Sequence, residues 1–376
     1  MTQRFHGENL RLIRQFWSLS LSDVADRIST SRQYVHQIEV EDKFPSDATI
    51  SALASTLAVL PTFFATTIKN SIKVEHGHFR KLQTTPVSVT HEVLAYCTIF
   101  ELLIRKLEEY AEFPTKNIPS LHADTGEEAE VAADRCRAHW SLGINDPISS
   151  ITRAAENNGV IVALFDHLSS KVDAFSLGRA RPIIVRITRK ESLFRQRFDI
   201  AHELGHLVMH EGMQTGDHAS ESLANRFASA ILLPRYAFLR DFPRRGRIDW
   251  HRVFDLKLKW GVSAAAIIRR ALDLGVIGEV EYRRANIHLA NTGQKRVEPY
   301  DTDYSTEEPE VLRKAVTLIL DGGFASSTSI AESLHLRPFV LRRLLSFTTS
   351  DQSDGQYVGD EASPANVHKL KSVDSN

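Results

Sequence analysis

The chain has 376 residues, 42 % hydrophobic and 25 % charged, with a formal net charge of −1, so its length allows two or three domains with buried cores. Such a nearly neutral chain lacks a global basic field, and any binding of nucleic acid must come from a local surface. The two cysteines form no CxxC pair, no N-terminal signal pattern is present, and no run approaches the ~20 apolar residues of a membrane helix. We therefore expect a cytoplasmic protein with no membrane partner, no disulfide framework and no cysteine zinc site.

The first 65 residues predict five short helices joined by polar links. They are expected at Glu8–Trp17, Ser22–Ile28, Ser31–Glu39, Asp47–Leu57 and Pro61–Ala65. The second and third share an apolar set that two packed helices could bury. Ser22 and Ser31 stand where helix N-caps are expected.

Residues 19–39 resemble the helix-turn-helix of Cro/repressor-like (XRE) proteins, whose pattern begins Leu-Ser and ends Ile-x-x-Ile-Glu. The resemblance implies that Ser31–Glu39 is a recognition helix and that double-stranded operator DNA is a partner. The side chains implied in DNA contact are Ser22, Ser31, Arg32, Gln33, Tyr34 and Gln37.

Two positions depart from the XRE pattern: Ser29 replaces the usual turn glycine and Ser22 replaces a common phosphate-contacting glutamine. A left-handed turn tolerates serine poorly, so we expect a distorted turn. Residues 1–70 carry seven basic and seven acidic groups, which predicts weak DNA binding by a monomer. The alternative is a helical protein-interaction domain that has kept the fold without the DNA contacts.

Two helices are expected in the next segment, over Thr90–Tyr110 and Glu127–Trp140, and their apolar stripes indicate core packing or the seam of a homodimer. The pattern changes after residue 147. It predicts a helix and three short strands at Ile148–Asn157, Val160–Phe165, Ala174–Ser176 and Pro182–Ile187. An edge strand of such a sheet could pair with an extended peptide substrate.

Residues 197–210 contain His-Glu-x-x-His within an apolar helical pattern. Four residues advance an α-helix by roughly 400°, so His202 and His206 lie on one face and can bind one metal ion. Glu203 lies about 100° further round, within reach of a metal-bound water without being a ligand. This division of labour is typical of zinc-assisted amide hydrolysis. The alternative is a chance match on a surface helix.

A further helix is predicted from Glu221 to Leu233, ended by Pro234. Together the two segments resemble the ImmA/IrrE metallopeptidases, which pair hydrophobic-Ala-His-Glu-Leu-Gly-His with a downstream Glu-x-x-Ala-Asn-x-Phe-Ala-x-x-Leu-Leu-x-Pro helix. The resemblance implies a zincin-like domain with zinc ligands His202, His206 and Glu221 and with Glu203 as general base. Mn²⁺ could replace Zn²⁺, because the ligands alone do not decide the metal. For Glu221 the alternative is a solvated carboxylate at a helix start.

Three other residues near this motif are expected to support the site without binding the metal. His210 continues the face of His206, but one short helix cannot easily bring three consecutive turns to one ion, so a structural or supporting role is favoured over a third histidine ligand. His218 could touch substrate. Gly205 fits a requirement of the ImmA/IrrE family for close helix packing.

Beyond residue 260 the pattern predicts a helix at Ser263–Leu274, irregular structure over Tyr282–Asp303, and a disordered tail from Thr348. Three more helices are expected at Pro309–Leu320, Ser327–His335 and Pro338–Ser346. We interpret these three as a helical interaction module, with DNA contact as the alternative.

The whole chain is thus expected to be mainly α with a small β-sheet in the protease unit (α+β). The expected parts are a helix-turn-helix domain at 7–65, a helical connector at 66–143, a peptidase domain at 144–280, a helical module at 305–347 and a disordered tail at 348–376. The leading hypothesis is a DNA-binding transcriptional regulator fused to a zinc endopeptidase that cleaves a repressor or antitoxin-like protein. The alternatives are a transcription factor whose metal domain senses a ligand and cuts nothing, and an antitoxin that binds a toxin partner.

Overall fold

The computed structural model describes residues 4–68, 71–73, 77–78, 86–165, 174–179, 181–186, 192–213, 215–243 and 247–345. The predictions for the tail from Thr348 and for Ile187 fall outside these residues. The chain forms two compact units. Among the described residues, the terminal unit comprises 4–14, 19–68 and 319–345, and the central unit comprises 15–18 and those between 71 and 318.

The N-terminal part of the chain contains the five short helices that its pattern predicts. They are α1 Gly7–Phe16, α2 Leu21–Arg27, α3 Arg32–Glu39, α4 Asp47–Thr56 and a 3-10 helix at Pro61–Ala65. Helices α2 and α3 pack together through buried residues that include Val24 and Val35. Ser31 caps α3 as expected, but the prediction that Ser22 caps α2 is wrong. Ser20 is the cap, because its hydroxyl accepts from the Asp23 amide while the Asp23 carboxylate accepts from the Ser20 amide.

The link between α2 and α3 has the left-handed backbone that the pattern predicts. Ser29 has a φ of 56°, a conformation that costs a residue with a side chain more than it costs glycine. Gly7, at the start of α1, lies against the end of α3. A Cβ there would sit 2.5 Å from the Ile38 and Glu39 carbonyl oxygens, so no larger residue fits.

The last helices of the chain, α15 Ser327–Ser333 and α16 Pro338–Leu344, belong to the terminal unit. The Leu60 amide donates to the His335 carbonyl at 2.8 Å, and the Arg337 amide donates to the Ala58 carbonyl at 3.1 Å. These two hydrogen bonds flank an antiparallel bridge between Val59 and Leu336. Where the pattern predicted a separate module at 305–347, the structure thus packs residues 319–345 with the N-terminal helices.

The central unit is mainly helical. Its helices are α5 Val87–Leu107, α6 Gly126–His139, α7 Ile151–Asn157, α8 Leu193–Met209, α9 His218–Leu232, α10 Arg235–Asp241, α11 Trp250–Trp260, α12 Ala264–Asp273 and α13 Glu279–Asn291; α14 Val311–Asp321 crosses into the terminal unit. The prediction of irregular structure over 282–303 is wrong for most of the first half of that range, where α13 lies. The mostly polar surface of α13 hides a narrow buried stripe, Ala285 and Leu289, from pattern reading. The Glu281 carboxylate caps the first turn of α13.

Helix α5 is long and apolar enough to cross a membrane by length and composition, contrary to the expectation that no such segment exists. However, 72 % of its most apolar window is buried inside the protein. The helix is therefore buried to the extent typical of a core helix, whose apolar residues contact protein on most sides.

Within the described residues, four strands form one mixed sheet in the order β1-β3-β4-β2. They are β1 Gly77–His78, β2 Ile161–Leu164, β3 Ala174–Leu177 and β4 Ile183–Arg186. Strand β3 is antiparallel to β1 and β4, whereas β2 and β4 are parallel. The three longer strands match the predicted ones to within two residues, and β3 and β4 both pack against α8. This packing places the sheet beside the His-Glu-x-x-His helix.

A buried lysine attaches the segment after α13 to the core of the central unit. Lys257 Nζ lies 2.9 Å from Glu298 Oε2 and 2.5 Å from Asp301 Oδ1, and all three side chains are almost fully buried. Glu298 also accepts from the first amides of α12. Removal of the cation would leave two buried carboxylates without a counter-charge, stabilised only by hydrogen bonds from neighbouring donors.

We therefore predict that Lys257→Ala lowers the free energy of unfolding by about 3–5 kcal/mol, the usual cost of breaking a buried ion pair on one side. Chemical denaturation of the two proteins measures this difference. Lys259→Ala is the matched control, because Lys259 is half exposed and pairs with Asp241 at the surface, so its loss should cost at most about 1 kcal/mol. Equal costs for the two variants would contradict the prediction.

Candidate metal centre

His202 and His206 stand one turn apart on α8 and face the same point. Their Nε2 atoms are 3.2 Å apart, and both side chains are buried, with 3 % and 1 % exposure. The helix begins after Ser192 and runs unbroken to Met209, so the four-residue spacing becomes the shared face that the sequence predicts.

Glu221 reaches the two histidines from the first turn of α9. Asp217 caps that helix by accepting from the Ser220 amide at 2.7 Å, which places the Glu221 carboxylate opposite α8. Its two oxygens lie 3.4 Å from His202 Nε2 and from His206 Nε2. The three side chains together form a group that could hold a metal ion, with all ligand atoms within 4.8 Å of one another.

The spacing of these donors fits a tetrahedral zinc ion. With metal–ligand distances of about 2.0–2.1 Å, two ligands of a tetrahedron are about 3.3 Å apart. The two imidazole nitrogens, 3.2 Å apart, match this value, and each oxygen of the Glu221 carboxylate lies 3.4 Å from one of them. Two imidazoles and one carboxylate supply three ligands, the number that leaves a fourth position for water or substrate in catalytic zinc sites.

Gly205 explains how α8 and α9 come close enough for this arrangement. A Cβ at Gly205 would lie 3.0–3.2 Å from side-chain atoms of Phe227, closer than most real contacts. The glycine therefore allows Phe227 to pack directly on the α8 backbone. This confirms the close helix packing expected at Gly205.

Each histidine is oriented by a partner at its other nitrogen. His202 Nδ1 lies 3.0 Å from Asn225 Oδ1, an acceptor, so Nδ1 carries the proton and Nε2 is left with its lone pair. His206 Nδ1 lies 3.0 Å from His210 Nδ1. If His206 is the donor of that hydrogen bond, its Nε2 also has a lone pair for a metal ion. His210 thus supports His206 and does not join the three donors.

The carboxylate of Glu203 lies between the donor group and the sheet, close enough to His202 and Glu221 to interact with their charges. The Ser176 hydroxyl of β3 donates to Glu203 Oε2 at 2.8 Å. Burial raises the pKa of Glu203 to about 7, although the nearby His202 and this hydrogen bond act in the opposite direction. A carboxyl with that pKa can both accept and donate a proton near neutral pH.

The ionisation of the donor group favours a cation. Burial lowers the pKa of His206 to about 4, so its imidazole is neutral at pH 7. For Glu221, burial would raise the pKa, but the adjacent His202 and His206 side chains more than offset it and hold that pKa below its usual range. Neutral imidazole and ionised carboxylate are the forms that bind a divalent metal.

The structure brings together all four residues of the predicted centre and leaves the predicted DNA-contacting residues elsewhere. Ser22, Ser31, Arg32 and Gln33 are exposed and Tyr34 and Gln37 partly buried, all in or beside α2 and α3 of the terminal unit. His218 is exposed at the start of α9 and lines a cavity that also contacts Glu221.

Sequence reasoning did not assign roles to Asn225 or Ser176. The sequence signal for Asn225 was its position one turn after Glu221, within the ImmA/IrrE motif. The sequence signal for Ser176 was its position in a short predicted strand. Neither signal names the partner atom, because both contacts join elements that are distant in the chain.

Comparison with known proteins bears on the central unit. Residues 155–272 match a family model described as the IrrE N-terminal-like domain, a peptidase M78 group. The match spans α8 and α9, supports a metallopeptidase of the ImmA/IrrE type and implies a metal. It does not cover the N-terminal helices, so it offers no support for an XRE domain. No curated protein matches the chain.

We predict that Asn225→Ala and His210→Ala each weaken metal binding by about 10–100-fold, because partners of metal-bound histidines orient the ring and its tautomer. Competition with a chromophoric zinc chelator measures the affinity. The control is Asn286→Ala on α13, an exposed amide that bonds only within its own helix. Unchanged zinc affinity in both site variants would show that these contacts do not orient the ligands.

Proposed function

We propose that the protein is a zinc-dependent endopeptidase in which His202, His206 and Glu221 hold the metal and Glu203 is the general base. The observation that carries this proposal is the group of three donors, all within 4.8 Å of one another, beside a buried carboxylate of raised pKa. The match of residues 155–272 to a metallopeptidase domain supports it independently. Manganese in place of zinc is compatible with the same donors.

A bound zinc ion supplies Lewis acidity, which polarises an amide carbonyl and makes water more acidic. The side chains of the chain do the rest. Glu203 accepts the proton from the attacking water at its carboxylate and delivers it to the leaving amine. Ser176 holds one oxygen of that carboxylate and so directs the other toward the reacting atoms. Burial of His202, Glu203 and His206 limits the access of bulk water to the proton transfer.

We further propose that the terminal unit places this enzyme on an operator and that its substrate is a repressor or antitoxin-like protein in the cytoplasm. Two packed helices joined by a left-handed turn, with Arg32 and Gln33 exposed at the start of the second, support DNA binding. This part of the proposal rests on the geometry of α2 and α3 alone.

Glu203→Gln separates an enzyme from a metal-loaded sensor. The amide keeps the shape of the side chain but cannot accept the proton, so zinc should remain bound while turnover of candidate repressors falls by at least ~10²-fold. Metal analysis and the half-life of the repressor in cells are the two measurements. The control is Glu211→Gln, because Glu211 is an exposed carboxylate just beyond α8. Gln196→Glu is not used, because Gln196 is fully buried. Normal regulation by a fully zinc-loaded Glu203→Gln protein would identify a sensor.

The DNA part is tested by Arg32→Ala combined with Gln33→Ala. We predict that this double variant loses sequence preference for DNA while its zinc content is unchanged, because both side chains stand where base edges are read. Full-length protein must be used in the binding titrations, since residues 319–345 are part of the same compact unit. Arg252→Ala, exposed on α11, is the control. If wild-type protein shows no salt-sensitive DNA binding at low ionic strength, the terminal unit is a protein-interaction domain.

A further inference from the structure

The links that follow α4 and α15 in the terminal unit have the same backbone form. In each link a residue with positive φ comes just after the end of the helix, Ala58 at 56° and His335 at 57°. Three residues later a proline, Pro61 or Pro338, starts the next helix. The residue before each proline is extended, with φ of −83° in both links and ψ of 150° and 152°. The two links therefore follow the same path from one helix to the next.

The buried residues around the two links also correspond. Aligned on the positive-φ residues, buried apolar side chains coincide in the pairs Leu53 and Ile330, Ala54 and Ala331, Val59 and Leu336, Phe63 and Val340, and Phe64 and Leu341. The same hydrogen bond closes each helix, since the Val59 amide donates to Ala54 at 3.0 Å and the Leu336 amide donates to Ala331 at 2.9 Å. The pair α15–α16 is therefore a second copy of the element that α4 forms with the 3-10 helix.

The two copies contact each other with local two-fold symmetry. The Leu60 amide donates to the His335 carbonyl, and the Arg337 amide donates to the Ala58 carbonyl. Leu60 corresponds to Arg337 and Ala58 corresponds to His335, so exchange of the two copies converts one hydrogen bond into the other. This is the pattern of an isologous contact, in which the same surface is used on both sides of a two-fold axis. Here both sides belong to one chain.

A contact of this kind can also form between the α4 links of two chains. The Leu60 amide of each chain would then donate to the Ala58 carbonyl of the other, and Val59 would face its own counterpart. One contact would be lost, because His335 Nδ1 lies 2.9 Å from Thr62 Oγ1 and alanine at position 58 has no equivalent atom. A segment of the same chain also has a high effective concentration. The internal copy is therefore the favoured occupant of the α4 link.

We infer that α15–α16 is a built-in substitute for a second subunit. It occupies the self-complementary link after α4, and its release would allow that link to bind a second copy of this chain as a two-fold dimer. This role depends on neither the proposed peptidase nor the proposed DNA binding. Combined with DNA binding, it has a consequence for the operator. The closed chain presents one α3 helix and suits a single half-site, whereas the dimer presents two and suits an inverted repeat.

Disulfide formation at position 59 of the full-length protein tests this role. Because the two hydrogen bonds flank the Val59–Leu336 pair, its Cα atoms are about 4.5 Å apart, within the range of a disulfide. Val59→Cys combined with Leu336→Cys should form an intrachain disulfide on oxidation with glutathione disulfide. Cys97 and Cys136 are buried and do not compete.

The decisive comparison is between Val59→Cys alone and Val59→Cys combined with Leu336→Asp. An effective concentration of about 1 mM against about 10 µM protein favours the internal copy roughly 100-fold, so Val59→Cys alone should stay unlinked. Leu336→Asp places a charge in the buried bridge and should release α15–α16. We expect at least about tenfold more chains linked to each other through position 59, as measured by gel electrophoresis without reductant.

Phe324→Asp is the matched control, because it adds the same charge to an exposed residue of the same segment and should leave Val59→Cys unlinked. Leu336→Ala is a milder change that should give an intermediate linked fraction, and circular dichroism confirms that each variant is folded. Dimers formed through another surface do not bring the two positions 59 together. Interchain linkage of Val59→Cys with Leu336 unchanged would overturn the inference. So would its absence from both Leu336 variants, or failure of the double cysteine variant to form the intrachain disulfide.

Discussion

Gly205 and Phe227 bring α8 and α9 into direct contact, and the metal centre depends on this contact. Two of its donors belong to one helix and the third to the other, so the separation of the helix axes decides whether Glu221 lies 3.4 Å from the imidazoles or beyond their reach. Asn225, on the same helix as Glu221, is positioned by the same contact. A side chain at Gly205 would move ligand and supporting residue together.

Burial of the centre has an electrostatic consequence. Buried charges are costly unless they are paired. Burial therefore keeps His206 neutral and raises the pKa of Glu203 to about 7, whereas the two neighbouring imidazoles keep Glu221 ionised. The same environment thus assigns different protonation behaviour to two carboxylates of one site. The carboxylate between the imidazoles suits a ligand, and the one against Ser176 suits a base.

The terminal unit combines segments from both ends of the chain. Backbone hydrogen bonds on either side of the Val59–Leu336 bridge join the link after α4 to the link after α15. In both links a residue with positive φ, Ala58 or His335, precedes the bridge. Residues 319–345 therefore help to complete the fold that contains α2 and α3, and the two ends are best regarded as one structural part.

Local patterns in the sequence determined most of the helices, the three longer strands and the candidate ligands. Helical periodicity, caps and the His-Glu-x-x-His spacing are encoded within a few residues, so Leu193–Met209 and the shared face of its two histidines follow from local geometry. Helix α13 was missed because its buried stripe is only two residues wide. The tertiary structure alone decided the partners of Ser176 and Asn225, the cavity lined by His218 and Glu221, and the joining of the two terminal segments. Each of these joins segments distant in the sequence or depends on the distance between packed elements, which no local pattern encodes.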